Sequence, residues 1–87
     1  MPELIEKFFN DVDEKFYTRF EVIKELGMEK YKSEIYRIFN NEYRPSSIFV
    51  ILDYYKRMLD SEKYVFDVDN LPTAKMFVDF YAEIRKK

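Results

Sequence analysis

Four polar side chains near the middle of the chain stand at helical spacing, and each can hydrogen-bond to a base edge. They are Lys32, Ser33, Tyr36 and Arg37. Residues four apart lie above one another on a helix, so these two adjacent pairs would share one polar face. A lysine there can donate to the acceptors of guanine in the major groove of DNA. These residue types at this spacing predict a binding face that forms hydrogen bonds, and they do not predict covalent catalysis.

Further donors flank this face and suit contacts with phosphate. They are Thr18, Arg19, Lys30, Tyr43 and Arg44. Such contacts, together with helix N-termini, fix the position of a protein on duplex DNA. A structural role stays open for two of the base-facing residues. Arg37 can instead pair with Glu34 or contact the Asn-rich loop, and Tyr36 can be a partly buried ring.

The composition argues against catalysis and against a cofactor. The chain has no histidine and no cysteine, which removes the usual general base and the commonest zinc ligands. Its carboxylates are scattered, and Gly27 is its only glycine, so a glycine-rich phosphate loop is absent. The segment 67–69 has the Asp spacing of a calcium loop, but Pro72 and Val78 stand where that loop needs glycine and glutamate. We expect no enzyme activity, no metal ion and no small-molecule substrate.

Length and composition predict one globular domain. The chain has 87 residues, of which 47% are hydrophobic and 37% charged, enough apolar surface for a single core. Its longest apolar run, Ile48 to Leu52, is too short to cross a bilayer. The start Met1-Pro2-Glu3 does not suit a secretory signal. We therefore expect a cytoplasmic protein that does not contact a membrane.

The charge is unevenly distributed along the chain. The formal net charge is −2, whereas nucleic-acid-binding domains usually carry a basic surplus. Residues 1–17 hold two basic side chains against five acidic ones, and residues 60–87 hold five against six. Residues 18–59 hold eight basic against six acidic. Positive charge is thus enriched around the polar face described above.

Apolar periodicity predicts an all-α fold of five helices, at about 2–14, 18–26, 31–40, 47–60 and 72–85. The first has apolar residues at helical spacing as far as Phe16. Candidate caps are Thr18 with Glu21, Gly27, Asn40-Asn41, Ser46 or Ser47, and Asn70 or Thr73. The fourth helix is apolar on every side at its start, which predicts a central helix against which the first three pack. Residues 61–71 form a linker in which 64–68 is either irregular or a short strand paired in a dimer.

The fifth helix has an apolar face wider than a core usually needs. We expect part of that face to form a homodimer interface. Its predicted members are Met76, Phe77, Phe80, Tyr81 and Ile84. The alternative is that this helix only closes the core.

The run from residue 16 to residue 59 resembles the phage-repressor-type helix-turn-helix family, that of the lambda-like and Cro-like repressors. The matching features are Thr18 opening one helix, Leu26-Gly27 closing it, the segment Ile35-Tyr36-Arg37-Ile38-Phe39-Asn40-Asn41, and Arg44-Pro45-Ser46. The resemblance implies one domain over 1–87 and a small dimeric DNA-binding transcriptional regulator. It places helix 31–40 in the major groove and the two half-sites about one helical turn apart.

The sequence also departs from the family's pattern. Two extra residues separate Gly27 from the third helix, Ile23 stands where the family prefers alanine, and Glu34 adjoins the base-facing set. The acidic first helix and the abundant Tyr and Phe fit an alternative, a protein-binding module on the same fold that does not bind DNA. A phage or plasmid accessory factor, antirepressor or inhibitor would have this profile.

Overall fold

A computed structural model describes residues 2–15 and 18–86 of the chain. These residues form five α-helices, two short 3-10 turns and no strand. The helices are α1 Glu3–Lys15, α2 Arg19–Glu25, α3 Lys32–Phe39, α4 Ser47–Asp60 and α5 Ala74–Arg85, and the 3-10 turns are Glu29–Tyr31 and Val68–Asn70. The predicted all-α, five-helix fold is confirmed. Within this part of the chain no helix combines the length and the apolarity that a membrane crossing needs.

The core is built around aromatic side chains of α1, α3 and α4. Tyr54 of α4 is fully buried and stacks on Phe9 of α1, with ring centroids 5.5 Å apart. Phe39 of α3 meets the same two rings edge-on, at 5.1 Å from Phe9 and 6.1 Å from Tyr54. Aromatic pairs of this kind contribute about 0.5–1.5 kcal/mol each beyond the area they bury. Phe16, the last residue of the predicted α1 face, lies outside the described residues.

The start of α4 is apolar on every side but is buried on one side only. Ile48 and Ile51 are buried, but Phe49 is 70% exposed and Leu52 is 39% exposed. The remaining helices pack against one side of α4 only, so an apolar residue on its far side meets solvent. An apolar stretch in a domain of this size does not by itself show that every side is covered.

The helix α5 runs antiparallel to α4. The Tyr55 hydroxyl donates to the carbonyl oxygen of Pro72, just before α5, at 3.0 Å. At the other end Phe80 meets Tyr43, which precedes α4, edge-on at 5.0 Å. Because α5 lies flat on α4, most of its large side chains turn into the chain's own core.

Of the five residues predicted for a dimer interface, three are buried within the chain and two are half-buried. Phe77, Phe80 and Ile84 are 4%, 1% and 4% exposed, and Met76 and Tyr81 are half-buried. Phe77, Phe80 and Ile84 belong to the chain's own core, whereas Tyr81 lines a groove at the surface between α4 and α5. The exposed apolar residue of α5 is Val78, at 65%.

A compact turn joins α2 to α3. Gly27 has a φ of +72°, a conformation that favours glycine, and its amide donates to the Lys24 carbonyl at 3.1 Å. The Met28 amide donates to the Ile23 carbonyl at 3.0 Å, which completes a Schellman motif. Met28 is 0% exposed, so its side chain anchors this connection in the core. The 3-10 turn that follows accommodates the two extra residues.

The end of α3 repeats this motif without glycine. Asn41 has a φ of +61°, its amide donates to Ile38 at 3.0 Å, and the next amide, of Glu42, donates to Arg37 at 2.7 Å. Of the predicted N-caps, Thr18 accepts from the amide of Glu21, and Thr73 accepts from that of Met76. Ser46 occupies the N-cap position of α4 without a side-chain cap bond.

Candidate functional site

The outer face of α3 carries the four residues predicted to face bases. Lys32, Ser33 and Arg37 are exposed, and Tyr36 is half-buried with its ring against the core. On the opposite side of the helix, Ile35 and Ile38 are buried. The apolar spacing of that inner side is what turns the polar set outward. The alternative of a partly buried ring therefore describes Tyr36.

Glu34, the carboxylate expected beside this face, is turned away from it. The Ser47 hydroxyl, at the start of α4, donates to Glu34 Oε1 at 2.6 Å, and Arg44 Nη2 lies 3.4 Å from Oε2. The Glu34 side chain is 17% exposed. These contacts tie its negative charge to the α3–α4 loop. Arg37 has no ion pair among the residues that the structure describes, so the predicted alternative of a pair with Glu34 is not formed.

Besides Arg44, which contacts Glu34, three of the five predicted phosphate contacts are engaged within the chain. Arg19 donates two hydrogen bonds to Asp13, at 2.9 and 2.8 Å, and its guanidinium lies 4.5 Å from the centre of the Phe39 ring. Hydrogen bonding to Asp13 is the main reason that the pKa of Arg19 is raised. The Thr18 hydroxyl caps α2, and Tyr43 packs against Phe80, where burial raises its phenol pKa.

Lys30 and Arg44 are the two members of the phosphate set with exposed charged groups. The Arg44 side chain is 65% exposed despite its contact with Glu34. The Lys30 ammonium lies 5.9 Å from the centre of the Tyr31 ring. With Lys32 and Arg37 they leave a discontinuous basic surface along α3 and its two ends.

Two half-exposed aromatic rings adjoin this surface, and sequence reasoning did not assign them to it. Phe20 is 40% exposed and lies 5.3 Å from the Lys32 ammonium, and Tyr31 is 39% exposed. A cation over an exposed ring gains about 0.5–1 kcal/mol, enough to favour one position of a long side chain. Their signal in the sequence was an aromatic residue next to charged ones, which is also typical of a core position.

The local charge balance of α2, the turn and α3 is weakly basic. Lys24, Lys30, Lys32 and Arg37 have no ion pair among the described residues, whereas Arg19 is paired with Asp13. Of the carboxylates in the same segment, Glu25 and Glu34 are paired, and Glu21 and Glu29 are not. The unpaired groups thus leave a surplus of positive charge here, against a chain total of −2.

No cluster with metal-binding potential occurs in 2–15 or 18–86, where no group of three or more acidic, His or Cys side chains is suitably placed. A shallow depression of about 430 Å³ lies between α3 and the start of α4. Its lining includes Glu34 and Glu42 as well as Arg37 and Arg44. Because both signs of charge meet there, the depression does not favour an anion or a cation.

Comparison with family models, with curated proteins and with solved structures finds no significant match to this chain.

Proposed function

We propose that the chain is a small DNA-binding regulator that reads duplex DNA with the outer face of α3. The observation that carries this proposal is the position of Glu34. Its carboxylate is bound to Ser47 and Arg44, so its charge is compensated, and the exposed face of α3 offers donors at Lys32, Ser33 and Arg37. Phosphate and the acceptor atoms of guanine would both be attracted to such a face.

The dimensions of α3 suit this role. It has 8 residues, and an α-helix with its side chains is about 10–12 Å across. The major groove is about 12 Å wide and admits one helix. Since α3 follows α2 after a tight turn and exposes its polar side, the arrangement resembles a helix-turn-helix whose second helix enters the groove.

A second candidate is a protein-binding module, and two observations favour it. Arg19 and Arg44, two expected phosphate contacts, are paired with Asp13 and Glu34. In addition, Phe49 of α4 and Val78 of α5 expose large apolar surfaces. The ion pairs reduce the positive charge available to phosphate, and the exposed apolar side chains suit contact with a protein. We rank DNA binding above protein binding because of the basic surface at α3.

Binding of random-sequence duplex DNA at low salt tests the proposal. Non-specific affinities of DNA-binding proteins fall at roughly 1–100 µM at physiological salt and tighten as salt is lowered. We expect fluorescence anisotropy of labelled duplex to show binding in that range at low salt. If no binding is detected with protein at roughly tens of micromolar, the proposal is overturned, because non-specific attraction to phosphate should be measurable at that concentration.

A pair of double variants locates the surface. Lys32→Ala with Arg37→Ala removes two charges from α3, and Lys56→Ala with Lys86→Ala removes two exposed charges from α4 and the end of α5. Both pairs give the same net charge. We expect the α3 pair to weaken binding several-fold more than the matched pair, because only its charges face DNA. Equal weakening would remove α3 from the role proposed for it.

A further inference from the structure

An apolar face spans α4 and α5 on the exterior of the domain. Its margins are formed by Phe49 and Leu52 of α4 and by Ala74, Val78 and Tyr81 of α5, which enclose a groove of about 370 Å³. Phe49 and Val78 are 70% and 65% exposed. We call this surface the α4–α5 face.

The α4–α5 face differs from the other exposed apolar residues of the chain. Phe20 and Tyr31 each lie beneath a lysine ammonium, and Val65 and Val68 are in the segment between α4 and α5. At the α4–α5 face, several exposed apolar side chains line one groove. Contiguous patches of this kind usually mark an interaction site.

We propose that a second copy of this chain covers the α4–α5 face, in a two-fold symmetric homodimer. A two-fold contact sets a surface against itself, so a projection and a groove must both occur on that surface. Phe49 is the projection, because most of its ring stands clear of the domain beside the groove. In the dimer, Phe49 of each copy would enter the groove of the other.

The charges bordering the face fit a second copy better than a partner of one sign. Asp53 and Lys56 follow Phe49 along α4, and Lys75 and Asp79 flank Val78 on α5, where they form an ion pair at 3.6 Å. This border is mixed, so two copies would not repel each other. Asp53 is likewise paired within the chain, with Arg57 at 2.9 Å, so the acidic groups of this border are already compensated in each copy.

The acidic helix α1 provides the contrast. Its exposed side carries Glu3, Glu6, Asp13 and Glu14 against Lys7 and Lys15. Two copies meeting through α1 would bring like charges together, which costs free energy. Charge therefore selects the α4–α5 face over α1 as the surface for self-association.

The size of the face sets the expected strength of the dimer. The 14 residues of α4 extend about 21 Å, and two helices about 10 Å apart cover a width of about 20 Å. The projected area is thus about 400 Å² per copy, below the roughly 800 Å² of a standard interface. We expect a reversible dimer with a dissociation constant in the micromolar range, on the order of 1–100 µM.

This dimer differs from the one that the sequence predicts, and it does not rest on DNA binding. The sequence prediction used five residues of α5, of which Phe77, Phe80 and Ile84 are buried within one chain and Tyr81 is also a margin of the α4–α5 face. The α4–α5 face uses exposed side chains of two helices, with Phe49 and Val78 as its principal members.

Sedimentation at increasing protein concentration tests the proposal, with Val78→Glu and Phe49→Glu as interface variants. Val68→Glu is the matched control, since Val68 is 78% exposed and lies outside the face. We expect the wild type and the control to shift from monomer to dimer between about 1 µM and 1 mM, and both interface variants to stay monomeric. Circular dichroism should show that all variants remain helical, because each replaced side chain is exposed.

Disulfide trapping gives an independent readout, because the chain has no cysteine of its own. We expect Val78→Cys to form a covalent dimer under mild oxidation, and Val68→Cys to form much less at the same concentration. A wild type that stays monomeric at about 1 mM would overturn the proposal. So would a dimer that survives both glutamate variants, or equal trapping at the two cysteine positions.

Discussion

At the scale of single residues, the Tyr54 hydroxyl is the group whose environment is least favourable. The side chain is 0% exposed, and its oxygen has no hydrogen-bond partner within the described residues. Burial, with a further contribution from Asp13, raises the pKa of this phenol far above its ordinary value. Leaving a buried hydroxyl unpaired costs about 1–3 kcal/mol. The ring is therefore what Tyr54 contributes, through its contacts with Phe9 and Phe39.

Replacing Tyr54 separates the ring from the hydroxyl. We expect Tyr54→Phe to leave the free energy of unfolding unchanged or to raise it by up to about 1 kcal/mol, because it keeps the stacking and removes the unpaired oxygen. Tyr54→Leu should lower it by about 1–3 kcal/mol through lost aromatic contacts and a cavity. Urea unfolding of both variants measures the difference. A loss above about 1 kcal/mol in the phenylalanine variant would show that the hydroxyl has a partner after all.

At the scale of elements, the two left-handed caps explain how α2 and α3 end where they do. Gly27 and Asn41 close the two helices with the same hydrogen-bond pattern. Arg57 of α4 adds a further restraint at the first cap, since its Nη1 donates to the Leu26 carbonyl at 2.8 Å. A Cβ at position 27 would lie 3.4 Å from that same nitrogen, a tight but tolerable contact. The cost of a side chain there is therefore mainly conformational.

These caps predict opposite effects for two substitutions. Gly27→Ala should lower the free energy of unfolding by about 1–2 kcal/mol, because a side chain is strained at positive φ. Asn41→Gly should be neutral or stabilising by up to about 1 kcal/mol, since glycine adopts this conformation without strain. Thermal unfolding of the two variants provides the comparison. Equal losses at both positions would argue against a left-handed residue at position 41.

The segment between α4 and α5 is held against α1 and α2 by hydrogen bonds to one carboxylate and by an aromatic contact. Glu25 of α2 accepts hydrogen bonds from Lys63 Nζ and from the hydroxyl of buried Tyr64. Further along, Phe66 stacks on Phe8 of α1 at 5.1 Å. The bonds from Lys63 and then Tyr64 lower the pKa of Glu25 below its ordinary value. The stabilisation that Glu25 provides through these bonds should therefore depend on pH.

The sign of that dependence follows from the lowered pKa. The unfolded chain binds the proton of Glu25 at a higher pH than the folded chain does, so the stabilisation is present above about pH 4.3 and is lost as the pH falls through the folded value. We expect Glu25→Gln to reduce the fall in thermal stability between about pH 5 and pH 3, in contrast to Glu62→Gln. Asp67, whose pKa is lowered by the Asp69 amide and then by Asn70, should account for part of the remaining dependence. If thermal stability falls with pH in Glu25→Gln as it does in the wild type, the hydrogen bonds to Glu25 do not stabilise the fold.

The elements were largely predictable from the sequence, and their long-range contacts were not. Helical periodicity and the caps at Thr18, Gly27 and Asn41 are local, so they can be recognised in the sequence. The burial of Met28 and the exposure of Phe49 depend on which elements lie nearby. The same holds for the candidate site, where the contact between Glu34 and Ser47 joins residues 13 positions apart. That contact determines which charges remain on the α3 face.

At the scale of the whole molecule, the range of electrostatic interactions decides which charges influence DNA binding. The domain measures 35 × 30 × 19 Å. The Debye length is about 30 Å at 0.01 M salt and about 8 Å at 0.15 M. At low salt, phosphate therefore senses charges over the entire domain, including the acidic α1. At physiological salt it senses only charges on the surface that it contacts.

This difference predicts a salt-dependent effect of α1. Glu3→Gln with Glu6→Gln raises the net charge from −2 to about zero and alters two exposed residues of α1. We expect this double variant to bind random duplex several-fold more tightly than the wild type at about 0.01 M salt and equally at about 0.15 M. The pair Lys32→Ala with Arg37→Ala should weaken binding at both concentrations, because its charges lie against phosphate. If the α1 variant gained equally at both, α1 itself would lie close to DNA, and α3 would no longer be the surface that the charges of this domain favour.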